Sequence, residues 1–230
     1  MKITLFIPTL NEISGVKEIM PRVKNEWVDE IIVVDGNSTD GTLEYLESKG
    51  YTVLRQNGPE TLSAWWQGFD AATGDIIIPF SPDGNSIPED IPKLVDKMRE
   101  GYHMVIASRY KENAESEDDS WFTRLGNLMF TKMINILFQA NYTDTLGMYR
   151  AFRKELLNTL GFNNNKKELL FEILLSIRCA KLKLKIAEIP SSEPIRIGPG
   201  GSRAHPGFYY KLKSGFIMMY LIIREFFWRK

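Results

Sequence analysis

Between residues 3 and 109, short β-rich runs alternate with stretches of helical periodicity, and a chain patterned this way builds βαβ units on a parallel sheet. The runs are Ile3–Ile7, Glu30–Val34, Thr52–Arg55, Asp75–Phe80 and Met104–Ser108. Between them Val16, Ile19, Met20 and Val23 mark one helix, which Pro21 should kink or restart, and Leu43 with Leu46 marks a second. Leu62, Trp65, Phe69 and Ala72 mark a third at helical spacing. Ser86-Ile87-Pro88-Glu89 reads as a capping box with proline at the first helical position, before Ile91, Leu94, Val95 and Met98 on one helical face.

Beyond residue 110 the pattern changes. Lys111 to Asp119 holds five acidic residues and reads as a solvated charge run or a lid over a site. A long apolar helix from Trp121 to Phe138, a helix over 166–181 and a strand Lys185–Ile189 follow. The simplest partition is one α/β domain over 1–203 with an amphipathic helix over 204–230 at the carboxyl end. From Arg203 on, six basic residues face a single acid, Glu225, among eight aromatics. The longest apolar run there, Phe216 to Ile223, is eight residues, against the roughly 20 that span a bilayer. Such a helix can lie on an anionic membrane surface, pack on its own domain, or pair in a homodimer.

Twenty-nine basic residues cancel 29 acidic ones, so no global field points toward nucleic acid. Cys179, the only cysteine, excludes an intrachain disulfide and a cysteine-rich zinc site. It fits a reducing, cytoplasmic setting, with any membrane contact peripheral. No Gly-x-Gly-x-x-Gly follows a strand and no P-loop motif exists, so phosphate must be held another way.

In an open parallel sheet, ligands gather beyond the carboxyl ends of the strands. The loops there are Pro8-Thr9-Leu10-Asn11-Glu12, Asp35-Gly36-Asn37-Ser38-Thr39-Asp40-Gly41-Thr42 and Ser81-Pro82-Asp83-Gly84-Asn85. Each brings a carboxylate or amide to the same edge. Asp35, ending a strand, reads as a ligand contact, and Asp40 as a helix cap. Arg109, Arg124, Arg196 and Arg203 are candidates for phosphate, because a guanidinium stays charged and pairs with phosphate at two points.

Ile7-Pro8-Thr9-Leu10-Asn11-Glu12 and Val33-Val34-Asp35-Gly36-Asn37-Ser38-Thr39-Asp40-Gly41-Thr42 are accompanied by several supporting segments. These are Ala72-Thr73-Gly74-Asp75, Ala107-Ser108-Arg109-Tyr110, Asp144-Thr145-Leu146-Gly147-Met148-Tyr149-Arg150, and the late Arg196 with Gly201-Ser202-Arg203. Together they resemble family 2 inverting glycosyltransferases of the GT-A fold, in particular the dolichol-phosphate mannose synthase-like branch. The resemblance implies a GT-A, Rossmann-like, mostly parallel sheet flanked by helices. It implies transfer of a sugar from a GDP- or UDP-linked nucleotide sugar to a polyprenyl phosphate at the membrane. It further implies that Pro8, Leu10, Glu12 and Asp35 line the base and ribose, and that Ser81, Pro82, Asp83 and Asn85 meet the rest of the donor. Arg109 and Arg124 would hold the acceptor phosphate, and Arg196, Ser202 and Arg203 would close over the donor. Asp83, Arg109 and Arg124 are then the catalytic candidates, and Asp83 with Asn85 the ligands of a Mg2+ or Mn2+ ion.

Two positions depart from the family pattern: Ser81 replaces the first aspartate of an Asp-x-Asp, and Gly36 replaces a second aspartate after Asp35. Two other readings therefore stay open. One is transfer to a saccharide hydroxyl with Asp144 as base, rather than as a partner for Arg150. The other is a nucleotide-sugar-binding protein without catalysis.

Overall fold

The computed structural model describes residues 1–58, 61–162, 170–198 and 208–227. Seven strands form one sheet in the order β3-β2-β1-β4-β6-β5-β7. They are β1 (Ile3–Thr9), β2 (Glu30–Asp35), β3 (Thr52–Arg55), β4 (Ile76–Pro79), β5 (Met104–Ser108), β6 (Arg150–Arg153) and β7 (Ile186–Pro190). All pairings are parallel except those of β6, which runs antiparallel to both β4 and β5. This is the mostly parallel, helix-flanked sheet that the alternation demands. β6 was not legible: four residues with arginine at both ends carry no alternating signal.

β1 pairs with β2 on one side and β4 on the other, so the strand order reverses beside it. A crevice opens at the carboxyl ends of strands flanking such a reversal. Along β1 the side chains alternate: Phe6 enters the core layer with α3 (Thr61–Ala71), α5 (Trp121–Phe138), α7 (Phe171–Lys181) and α8 (Phe208–Phe227). Leu5 and Ile7 enter the other layer, with α1 (Ile13–Ile19), α2 (Thr42–Ser48) and α4 (Ile91–Arg99). With both faces covered, the central strands are apolar throughout rather than alternating. The helix expected over 166–181 is seen from Phe171; residues 163–169 lie outside the described part.

The kink or restart expected at Pro21 is seen as a restart: α1 stops at Ile19, a 3-10 turn Met20–Arg22 follows, and Val23 is already extended beyond it. The capping box at Ser86 does not form. A 3-10 turn Pro88–Asp90 precedes α4, its cap position is Ile87, and no side chain caps it. The reason is that Glu89 is taken elsewhere, its two oxygens accepting from Nε and Nη2 of Arg22 at 3.2 and 2.8 Å. The apolar face of α4 is as read, with Ile91, Leu94, Val95 and Met98 buried.

α6 (Leu156–Thr159) is a single turn after β6. α8 packs on α5 and α7 through Leu221 and Ile222, and its buried Glu225 accepts from Arg178, Lys181 and Arg224. Its other face stays open, with Phe216, Tyr220 and Phe227 exposed. No helix among the described residues is long and apolar enough to cross a membrane.

Candidate active site

The loops after β1 and β2 are knitted together by side-chain hydrogen bonds. Asp35 is fully buried, and its carboxylate accepts from the Ser38 amide at 2.9 Å, the Ser38 hydroxyl at 2.6 Å and Thr9 at 3.2 Å. The Thr39 amide donates to the Asn11 side chain at 2.8 Å. Asp40 accepts from the amides of Thr42 and Ile13, both at 3.0 Å, so it ties the starts of α2 and α1 to each other. Asp40 was expected to cap α2, but the cap position is Gly41 and no side chain caps it; Asp40 stands one residue earlier and bridges the two helix starts instead. Pro8, Leu10 and Glu12 are half-buried on this edge.

The loop after β4 sits against α1 at Gly15. A Cβ there would lie 2.5 Å from the Pro82 carbonyl oxygen and 3.0 Å from the Asp83 Cα, so the helix can approach only because the residue is glycine. On its other side the loop is clipped to the segment after β7. Ile197 N donates to the Asp83 carbonyl at 2.7 Å, and the Asn85 side-chain amide reaches the Pro194 carbonyl at 3.4 Å.

That clip brings in Arg196. Its Nε donates to Asn85 Oδ1 at 2.9 Å and lies 3.4 Å from Asp83 Oδ2, while Nη2 is 3.6 Å from Asp118. Asp83 Oδ1 accepts from the Asn85 amide at 3.1 Å. Both residues expected to hold a divalent ion are thus engaged by one guanidinium. Among the described residues no three His, Cys, Asp or Glu side chains gather as a metal set. One carboxylate and one amide, both facing a fixed positive charge, fit a dication poorly, since Mg2+ and Mn2+ want a shell of oxygens free of competing cations.

Arg109 leaves the end of β5 toward the same cavity. It pairs with Asp144 through Nε at 2.7 Å and Nη2 at 3.2 Å, with Glu193 at 3.1 Å, and with Asp119 at 3.5 Å. Burial alone would lower the Arg109 pKa, but Asp144 beside it drives it above its ordinary value. Asp144 was expected to pair with Arg150 if structural; Arg109 is its partner instead. Arg150 is diverted into the core, where it donates to Ser176 Oγ and to the carbonyls of Thr145 and Glu172. Asp144 Oδ1 also accepts from Asn127 of α5 at 3.0 Å and from the amides of Leu146 and Gly147. Glu188 of β7 holds the amides of Thr143 and Asp144 at 2.9 and 3.2 Å, and its burial pushes its own carboxyl up.

The acidic segment 111–119 keeps Glu112, Glu115, Glu117 and Asp118 exposed, as a solvated charge run would, yet its backbone is tied to the segment after β7. Ser116 forms a β-bridge with Glu193, the Glu117 amide donates to the Glu193 carbonyl at 2.8 Å, and Lys111 reaches the Glu188 carbonyl at 3.0 Å. Two of its acids thereby reach arginines, Asp119 at 3.5 Å from Arg109 and Asp118 at 3.6 Å from Arg196. Arg124, exposed at the start of α5, lies over one ring with Arg109: their guanidinium carbons are 5.8 and 5.4 Å from the centre of Tyr110. Ser202 and Arg203 lie outside the described residues.

Two cavities meet at Arg109 and Leu146. One, of about 70 Å3, is enclosed by Ser81, Asp83, Asn85, Glu193 and Arg196 and has room for about two waters. The other is an open groove of about 740 Å3 between α5 and α8, walled by Phe122, Leu125, Met129, Phe130, Phe216 and Met219. Gly126 and Gly215 flank it, and beside Gly126 a Cβ would meet nothing within 4 Å. The roles of Glu193 and Asn127 went unread in the sequence. Asn127 had a signal, an amide on the buried stripe of α5 among Phe130, Ile134 and Phe138; Glu193 had none.

The model of the family described as "Glycosyl transferase family 2" matches residues 4–161. A dolichol-phosphate mannosyltransferase of Pyrococcus furiosus is 30% identical over 212 residues, covering 85% of this chain and 57% of that protein. Glycosyltransferase AglJ of Haloferax volcanii is 26% identical over 196 residues, covering 83% of this chain and 62% of its own length. The chain thus spans a little under two thirds of these curated relatives. Among solved structures, glucosyl-3-phosphoglycerate synthase of Mycobacterium tuberculosis in complex with Mn2+, UDP-glucose and phosphoglyceric acid superposes with a TM-score of 0.70 at 21% identity. That match covers 100% of this chain and 81% of the other. The likeness shows that the GT-A fold is shared.

Proposed function

Because the chain belongs to glycosyl transferase family 2, we propose that it moves a sugar, with inversion, from a nucleotide sugar to the phosphate of a polyprenyl-type lipid at a membrane surface. The observation that carries this reading is the junction at Arg109, where an apolar groove of about 740 Å3 meets the polar cavity of Asp83, Asn85 and Arg196. An isoprenoid chain gains by leaving water for an apolar wall, and its phosphate needs a cation at the inner end of that wall. The dolichol-phosphate mannosyltransferase relative supports the same acceptor class.

In this reading the base and ribose lie over Pro8, Leu10 and Glu12, with Asp35 fixing the loop beneath them. A lipid-phosphate oxygen, already anionic at neutral pH, attacks the anomeric carbon while the bond to the nucleoside diphosphate breaks. Such a nucleophile needs positioning and not a base. Arg109 and Arg124, both near the ring of Tyr110, would position it. Asp144 is spent on holding Arg109 and is badly placed to take a proton from a saccharide hydroxyl. A cavity of about 70 Å3 holds no nucleotide sugar, so the side chains of Glu193 and Arg196 must turn outward or onto the diphosphate as it enters. Arg196, with Ser202 and Arg203, would then close over the donor. Two cations compete for the diphosphate. A Mg2+ or Mn2+ ion on Asp83 and Asn85 has the Mn2+ complexes of the structural neighbours in its favour, while the guanidinium of Arg196 already sits on both residues.

Residues 1–203 would then form the transferring unit, and 204–230 the helix that meets lipid on the cytoplasmic side. The exposed Trp121, Leu125 and Ile136 of α5 and Phe216, Tyr220 and Phe227 of α8 support such a surface. A soluble phosphorylated acceptor is the second reading, since a structural neighbour was solved with phosphoglyceric acid. The deciding experiment supplies GDP- and UDP-sugars with either polyprenyl phosphate in detergent or 3-phosphoglycerate, and follows nucleotide release and product mass. A glycosylated lipid phosphate is expected. Release with 3-phosphoglycerate alone would overturn the lipid assignment, and no release with any acceptor would favour a binding protein.

A further inference from the structure

We propose that Arg196 is the resident cation of the donor site, so that the guanidinium, and not a divalent metal, meets the donor diphosphate. The inference rests on the donor-site reading given above and adds to it the identity of the charge that makes leaving possible. Asp83 carries the loop's single carboxylate because Ser81 stands two residues before it. Arg196 lies 3.4 Å from that carboxylate and 2.9 Å from the Asn85 oxygen, which are the two oxygens a metal would need.

The placement of Arg196 is built by the backbone. Ile197 N donates to the Asp83 carbonyl at 2.7 Å, directly after the arginine. Gly84 adopts φ +92°, and a Cβ on it would lie 2.8 Å from the Ile197 side chain, so the turn of the donor loop and the arginine segment are fitted to each other. Upstream, Glu193 pairs with Ser116 and accepts from its hydroxyl at 2.5 Å. A dication seated on Asp83 would lie within a few ångströms of the positive charge of Arg196, whose backbone is clipped at both ends, whereas an arriving diphosphate would find a planar two-point donor that has only to turn onto it from Asp83 and Asn85. Asp83 then acts as a positioning residue: it holds the guanidinium until the diphosphate takes it over.

The test measures binding of UDP and GDP to the full chain by calorimetry, with EDTA or with added Mn2+, and separately titrates Mn2+ alone onto the protein by its paramagnetic resonance signal. We expect EDTA to leave the nucleotide affinity within about threefold and Mn2+ alone to stay unbound. Arg196→Ala should lose about 10- to 100-fold in affinity, the range of a charge-assisted hydrogen bond, and Arg196→Lys should fall between. The double variant Ser81→Asp with Arg196→Ala should gain Mn2+ binding and make nucleotide binding dependent on it. Melting curves identify any variant that fails to fold; the wild-type arms need no variant. Nucleotide binding that EDTA abolishes and Mn2+ restores in the wild type overturns the proposal, as does full affinity in folded Arg196→Ala. Absence of UDP and GDP binding under every condition overturns the donor-site reading itself, and this proposal with it.

Discussion

The guanidinium of Arg109 grips the carboxylate of Asp144 at two points, Nε to Oδ2 at 2.7 Å and Nη2 to Oδ1 at 3.2 Å, with Asp144 fully buried. Burial by itself would raise the Asp144 carboxyl, but Arg109 and the Asn127 amide override it and hold it below its ordinary value. A carboxyl depressed in the folded state binds fewer protons than in the unfolded chain. Its contribution is therefore complete above the unfolded pKa, about 4, and is lost as pH falls through the lower folded value. Asp144→Asn should cost about 3–5 kcal/mol in urea unfolding at pH 7, because Arg109 loses its main buried partner. The variant should also lose part of the acid-side decline in stability. An unchanged urea midpoint would show that the pair contributes nothing.

Cys179 lies in the buried heart of α7, where burial pushes its thiol up to about 12. At pH 8 the thiolate, which is the reactive form, is almost absent. The native protein should therefore leave a chromogenic disulfide reagent unreacted over the time in which the urea-unfolded chain reacts fully. Rapid reaction of native protein would mean that α7 opens far more readily than its packing indicates.

The sheet and its reading edge were legible because buried parallel strands write themselves as apolar runs, and because loops beyond such strands carry Gly, Asn and Asp for reasons of turn geometry. Ile3–Thr9 and Glu30–Asp35 extend the expected runs by only one or two residues. What sequence could not show was pairing at a distance. Arg109 meets Asp144 and Glu193, and Arg196 meets Asn85, across 35, 84 and 111 residues of chain. No local period encodes such a contact; it depends on how β5, β7 and the 111–119 segment close on one another. The same holds for the Asp40 link to Ile13, where a residue of the loop before α2 also fastens the start of α1.

Gly15→Ala tests whether the approach of α1 to the donor loop matters for the site. The added Cβ would sit 2.5 Å from a backbone oxygen of Pro82, and neither backbone can yield without moving Asp83. Overpacking of this kind costs about 1–3 kcal/mol. The melting temperature should fall, and nucleoside diphosphate affinity should fall with it even under conditions where the variant is folded. Retained affinity in the folded variant would mean that the Pro82–Asp83 backbone does not help to place the donor.

Gly126→Leu tests the groove. Gly126 lies inside α5, and a Cβ there meets nothing within 4 Å, so a leucine enters open space. The helix itself should gain, since glycine in a helix interior costs about 0.8–1 kcal/mol relative to good helix formers. The leucine side chain would then stand in the space between Phe122, Met129 and Phe216 that the isoprenoid chain is proposed to fill. Thermal stability should hold or rise, UDP or GDP binding should be unchanged, and transfer to a long polyprenyl phosphate should drop about tenfold or more. A short, water-soluble alkyl phosphate, which needs only the inner end near Arg109, should keep most of its rate. Transfer to the long lipid at the wild-type rate, with donor binding intact, would remove the groove between α5 and α8 from the acceptor path.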